Sequence, residues 1–274
     1  RKHIPLILLN ARTTKKTFKK WKSISIFAKK LFENFDYAFP QNYETKKYLR
    51  FLGIKNIKLL GNLKFSETKI KQDLSINSRL KKFFKNKTIW CASSTHEGEE
   101  KLSANIHIKL KKKHKNLLTI LIPRHTNRAV KINTELEEMG LRVHTHSSTK
   151  KINNDTDIYL VDTYGDTKTF FKLSKIVFLG GSVVKHGGQN PLEAVRLGCK
   201  IIYGPYINNF REIYHLLDKK KLSTKFNGAK QMFMLLNSLL KINFNSSQII
   251  NQINKLGNDI LDITWVNLNK IFNR

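Results

Sequence analysis

Residues 176–204 constrain the fold more than any other stretch, because they write out a complete strand–loop–helix–strand unit. Ile176 to Leu179 is a short apolar run suited to a fully buried strand, and Gly180 and Gly181 close it. A polar loop with a second glycine pair, Gly187 and Gly188, leads to Asn190 at the position of a helix N-cap. Pro191 then falls at the first helical position and Glu193 at the third. Leu192, Ala194, Val195 and Leu197 carry the helix, Gly198 ends it, and Cys199 to Tyr203 reads as the next strand. The loop thus opens on a helix N-terminus, where backbone N–H groups and the helix dipole favour an anion. Lys185 and His186 add side-chain charge or donors. An ordinary capped helix needs neither the glycine pairs nor these two residues, so the stretch reads as a phosphate site.

The same grammar runs upstream. Thr88–Ala92, Leu117–Ile122 and Ile158–Val161 read as strands, each followed by a polar loop and a helix: 101–111, 129–139 and 167–173. Arg142 to His144 is short and extended. Helices are expected at 208–217, around Met232 to Leu240, and from Ile249 to Phe272, which carries Trp265. Strands alternating with helices indicate parallel, doubly wound sheets, whose ligands bind beyond the carboxyl ends of the strands. The polar clusters that interrupt the pattern all fall at such ends.

The first 87 residues are less regular. Ile4 to Leu9 reads as a strand, Asp36 to Gln41 as another, Tyr43 to Leu52 as a helix stopped by Gly53, and Ile57 to Phe65 as a third strand turning at Gly61. Over 14–35, Phe18, Trp21, Ile24, Phe27, Leu31 and Phe35 recur at helical spacing opposite a lysine face. Core packing is the commoner meaning of such a stripe, ahead of a basic amphipathic helix lying on an anionic bilayer. Ser66 to Lys87 is polar, lysine-rich and weakly periodic, with Leu80, Phe83 and Phe84 opening a second domain. It marks a domain boundary, with 1–70 as the first domain and 71–274 as the second, whose last helix can pack back on the first. A chain that starts without Met, almost directly on a strand, suggests an N-terminally incomplete first domain.

Charge is the outlier of the composition: 51 Lys and Arg against 20 Asp and Glu give +31 over 274 residues. Such a balance suits nucleic acid, an anionic membrane surface or an acidic substrate, and it also fits a chain that favours lysine throughout. No run approaches the ~20 apolar residues of a membrane span, and no signal-peptide pattern is present. Cys91 and Cys199 lie in or beside strands, as buried reduced thiols of a cytosolic protein would.

Arg124 and His125 follow a buried strand directly, where a guanidinium can clamp phosphate at two points. His96 and Glu97 stand at a helix start, beside Glu99 and Glu100, which a helix dipole alone would explain. Glu193 is either a capping-box partner or an acceptor for a ribose diol. The histidines and cysteines show no metal-ligand spacing, and neither a Walker loop nor GxGxxG is present. A metal-free site for a phosphorylated, sugar-like ligand fits best, with no cofactor.

Taken together, Asn10-Ala11-Arg12, Gly61 to Phe65, Ala92 to Glu100, Ile122 to His125 and above all Phe178 to Tyr206 resemble one family. It is that of the transferases of 3-deoxy-D-manno-octulosonic acid (Kdo) in lipopolysaccharide synthesis, and the likeness runs from about Ile4 to Leu217 in order and spacing. The resemblance implies two Rossmann-like α/β domains of the glycosyltransferase type B fold, here with a truncated N-terminal domain. It implies inverting transfer of Kdo from CMP-Kdo to a lipid A precursor, at the cytoplasmic face of the inner membrane, on an anionic surface and without nucleic acid. It assigns Arg124, His125, Tyr164, Gly165, Asp166, Asn190, Pro191, Leu192 and Glu193 to the nucleotide. Ser94, Thr95, His186 and Gln189 fall to the sugar and phosphate, Lys185, His96 and Glu97 to catalysis, and Asn10 and Arg12 to the acceptor side. The family's general base, a glutamate in a glycine-rich loop near the N-terminus, has no counterpart here. Two departures stand out: Thr126 replaces a frequent Pro, and Tyr164-Gly165-Asp166 replaces Gly-Glu-Leu. Another type B glycosyltransferase or sugar-nucleotide epimerase, and a basic nucleic-acid or membrane-surface binding module, remain as competing readings.

Overall fold

The computed structural model describes residues 4–67 and 78–273, so much of the boundary stretch Ser66 to Lys87 lies outside the described residues. The chain divides into two compact units, 1–70 with 252–274 and 71–251.

The first unit is a small parallel sheet of β1 (Ile7–Ala11), β2 (Tyr37–Pro40) and β3 (Asn56–Ile57), paired in that order. The helix expected over 14–35 is broken into α1 (Lys15–Ser23) and α2 (Ser25–Phe32) at Ile24, whose φ of −116° and ψ of 43° are not helical. The break has a chemical cause, since Ser23 Oγ turns back to donate to Lys20 O and serines compete for backbone groups. The core reading of the stripe fails in part. Ile24, Phe27 and Leu31 are exposed, Phe27 by 63%, and among the described residues of the two helices only Ala28 is buried. Helix α3 (Tyr43–Phe51) follows, capped by Asn42, whose Oδ1 accepts from Thr45 N.

The strand expected over Ile57 to Phe65 is cut short after β3. Asn10 Oδ1 accepts from Leu63 N and Asn62 Oδ1 from Lys64 N, and these local bonds close a 3₁₀ turn at Leu63–Phe65 instead. The long helix α11 (Ser246–Phe272) lays its Gly257 on that turn, where any β-carbon would meet Phe65 O at 2.2 Å. Ile260 packs over Gly61, and Lys58 Nζ donates to Asn267 Oδ1. These contacts end the second unit at residue 251 rather than 274.

The second unit holds a seven-stranded, all-parallel sheet. Its elements, in chain order after α4 (Ser78–Phe84), are β4 (Thr88–Thr95), α5 (Glu99–Lys111), β5 (Leu117–Pro123), α6 (Ala129–Glu138), β6 (Val143–Thr145) and β7 (Ile158–Leu160). They continue with α7 (Thr167–Leu173), β8 (Ile176–Leu179), α8 (Leu192–Arg196), β9 (Lys200–Tyr203), α9 (Arg211–Lys219), β10 (Ser223–Lys225) and α10 (Ala229–Leu239). The strand order is β10-β9-β8-β4-β5-β7-β6. Side chains alternate across the strands. Trp90, Ala92, Leu121, Phe178 and Ile202 pack on one face with α5, α6 and α10, while on the other Tyr159 meets Phe84 and Phe170 edge-on or tilted. Burial on both faces explains why β5 is apolar or small throughout and wholly buried. Cys91 and Cys199 are buried and unbridged. Among the described residues no helix is long and apolar enough to cross a membrane.

Candidate functional site

The first strand of the second unit, β4, sits in mid-sheet with β5 on one side and β8 on the other. The winding reverses there, and at such a point the loops after neighbouring strands part to leave a crevice. The loops after β4 and β8 line it. One residue before the end of β4, Ser94 takes the left-handed region at φ 55°, where the β4–β5 register shifts. Gly180 lets the two loops touch, because a β-carbon there would meet Ser94 O at 2.4 Å and Thr95 Cα at 2.7 Å.

Three imidazoles gather at this crevice. His96 stacks on His186 with ring centroids 4.0 Å apart, and His125 stands edge-on to His96 at 6.1 Å. Gln189 and His96 both approach Gly181. Burial first, then the neighbouring His186, His125, Arg124 and Arg128, hold the His96 imidazole down to about 4. At neutral pH His96 is therefore an uncharged ring, and its buried Nε2 has no hydrogen-bond partner among the described residues. Arg124 and His125 are exposed after β5, with Arg124 N donating to Thr95 O. Lys185 and His186 are exposed in the turn after β8, while Thr95 is buried.

A second group of expected residues lies at the starts of α7 and α8. Asp166 Oδ2 accepts from Thr163 Oγ1 at 2.6 Å beside the exposed Tyr164 and Gly165. Asn190 Oδ1 accepts from Leu192 N at 3.2 Å, so it does cap the chain entering α8, although the helix itself begins at Leu192. Glu193 does not close a capping box. Its carboxylate faces Lys168 of α7 at 3.4 Å, joining the start of α7 to the start of α8.

Not every expected residue joins these groups. Glu97 is exposed and paired with Lys131 at 2.8 Å, and that hydrogen bond pulls its carboxyl below the usual range. Asn10 and Arg12 belong to the first unit, where Asn10 holds the Leu63 turn and its carbonyl accepts from Gln41 Nε2.

Sequence reasoning missed the residues that hold the crevice together. Glu99, fully buried at the start of α5, accepts from His96 N at 2.9 Å, Gly181 N at 2.7 Å and Val183 N at 2.9 Å. Glu100, also buried, pairs with Arg128 at 2.9 Å. The only signal for them was an acidic pair in a first helical turn, which a dipole explains equally well. Among the described residues no group of His, Cys, Asp and Glu is arranged to hold a metal ion.

Comparison with known proteins gives this crevice a context. Residues 1–67 match the family model described as 3-deoxy-D-manno-octulosonic-acid transferase (kdotransferase). The chain is 32% identical over 255 residues to the 3-deoxy-D-manno-octulosonic acid transferase of Rickettsia bellii, covering 91% of this chain and 59% of that one. With its namesake from Haemophilus influenzae it shares 30% over 219 residues, 79% of this chain and 51% of the other. It thus spans between half and three-fifths of the length of these relatives. Among solved structures, the C-terminal CMP-Kdo binding domain of WaaA from Acinetobacter baumannii superposes with a TM-score of 0.58 at 25% identity, over 63% of this chain and 90% of that one. UDP-GlcNAc 2-epimerase from Neisseria meningitidis, at 15% identity over 97% of this chain and 70% of that one, gives a TM-score of 0.54 and speaks to the fold alone. The parallel α/β architecture with these likenesses makes the fold glycosyltransferase type B. The family-model match, the sequence relatives and the structural match together make the chain similar to the 3-deoxy-D-manno-octulosonic acid (Kdo) transferases over the part of their length that it spans.

Proposed function

We propose that the second unit holds CMP-Kdo as the donor for inverting transfer of Kdo to a lipid A precursor in lipopolysaccharide synthesis. The observation that carries this reading is the convergence of His96, His125 and His186 at the β4–β8 crevice, with Arg124 and Lys185 in the adjoining loops. The likeness to a CMP-Kdo binding domain, that of the Acinetobacter protein, supports it.

In this reading Arg124, His125, the Tyr164-Gly165-Asp166 loop and Asn190 to Glu193 receive the cytidine nucleotide. Ser94, Thr95, His186 and Gln189 face the sugar and phosphate. As the bond to the anomeric carbon breaks, negative charge grows on the departing CMP phosphate. Lys185 and Arg124 stabilise it from preset positions, the most effective way for fixed charges to lower a barrier. His96, uncharged at neutral pH, contributes a hydrogen bond rather than a charge. The acceptor hydroxyl must lose a proton to a base, and Glu97, paired with Lys131 and shifted toward the weaker-base side, is poorly suited to take it. Asn10 and Arg12 serve the acceptor side.

In this reading the reaction takes place at the cytoplasmic face of an inner membrane. The exposed Ile24, Ile26, Phe27 and Leu31, set among the lysines of α1 and α2, support contact with an anionic lipid surface. Calorimetric titration of the full chain tests the donor assignment: Lys185→Ala should weaken CMP at least tenfold, and equal affinity in parent and variant would contradict it.

A further inference from the structure

Three backbone N–H groups converge between the loops after β4 and β8: those of His96, Gly181 and Val183. Such a concavity of amides ordinarily makes a phosphate nest. Here it is already filled, because the fully buried Glu99 carboxylate accepts from all three at 2.7–2.9 Å. A helix dipole would be served by a carboxylate left in solvent. Glu99 instead reaches 82 and 84 residues along the chain to Gly181 and Val183. The fit is close enough that a β-carbon on Gly180 would stand 2.7 Å from Glu99 Oε2.

We propose that Glu99 is a positioning residue of the donor site: its buried carboxylate locks the loop after β8 to the loop after β4 and so fixes the His96–His186 stack. The inference rests on the donor-site reading and adds two consequences. The nest at the crevice floor is closed to the donor, so its phosphate is met by side chains at the rim. The lock also depends on an acceptor-only group. Each oxygen of a carboxylate accepts, whereas an amide presents one oxygen and one NH2. Glu99→Gln therefore sets a donor against a donor, at Val183 N or at the pair His96 N and Gly181 N.

The test is amide hydrogen exchange and calorimetry on the full chain. In the parent, the amides of Gly181 and Val183 should be protected although they lie in a loop. In Glu99→Gln their exchange should quicken at least tenfold, and CMP should bind at least tenfold more weakly while cytidine, which lacks the phosphate, binds as before. In Glu99→Ala, formate should restore part of the CMP affinity while cytidine binds as before, an effect a structural role away from the donor site would not give. Fast exchange in the parent, or a Glu99→Gln protein whose loop protection and CMP affinity match the parent's, would overturn the proposal. A parent that binds no CMP would instead overturn the donor-site reading, and amide exchange alone would then decide the lock.

Discussion

At Gly180 the absence of a side chain is a matter of space rather than of dihedral freedom. A methyl group there would press on Ser94 O, Thr95 Cα and Glu99 Oε2, of which the first two are backbone and cannot swing aside. Gly180→Ala should cost on the order of 1–3 kcal/mol and weaken CMP binding, read by thermal melting and calorimetry. At Gly165 nothing lies within 4 Å of the added carbon, and only its φ of 96° opposes it. Gly165→Ala should therefore cost no more than about 1–2 kcal/mol. His96 supplies a pH signature. Its imidazole is held down to about 4 from an ordinary 6.5, so the unfolded chain binds the extra proton first as pH falls. Its contribution to stability is complete above pH 6.5 and declines between about 6.5 and 4; His96→Gln should flatten that part of a melting-temperature profile. The imidazoles and the Arg were legible one by one as polar residues after strands. Glu99 was not, because two of its three partners are distant in sequence and their convergence is a property of the fold.

Among the elements, those buried on both faces were the most readable. β5 and β8 stand where nearly unbroken apolar runs put them, since a strand covered on both sides has no solvent face to write into the sequence. Where local side-chain bonds compete with the pattern, the pattern misleads. Ser23 beside Ile24 divides the first long helix, and Asn10 and Asn62 convert the end of an expected strand into a turn. β10 was unreadable for a different reason: Ser223–Lys225 carries no alternation and exists by pairing with β9. At the start of β7, Asp157 ties three elements together. Its buried carboxylate meets Lys111 of α5 at 3.1 Å, accepts from Arg142 N at 3.1 Å, and lies 3.6 Å from His107. Removing the acid leaves the Lys111 ammonium and the Arg142 amide without their acceptor, so Asp157→Ala should destabilise the second unit by roughly 3–5 kcal/mol, measured by urea unfolding. The helix α8, by contrast, is short, and Leu192 N is already taken by Asn190.

Across the whole molecule, the excess of 51 basic over 20 acidic residues has no single address in the fold. Lysines line α1, α2 and α3 in the first unit and recur on α5 and α9 in the second. What the charge favours must then be decided by the apolar groups beside it, and Ile24 with Ile26, Phe27 and Leu31 of α2 are exposed. A chain bound through them should co-sediment with phosphatidylglycerol vesicles. It should lose that binding in an Ile26→Ser, Phe27→Ser variant, whereas attachment by charge alone would survive the change and vanish in high salt. The central claim concerns the crevice of the second unit, and nucleotide competition addresses it most directly. In calorimetric titrations of the full chain, the donor-site reading predicts that CMP binds and that UDP neither binds nor displaces it. Binding of UDP in preference to CMP would contradict it.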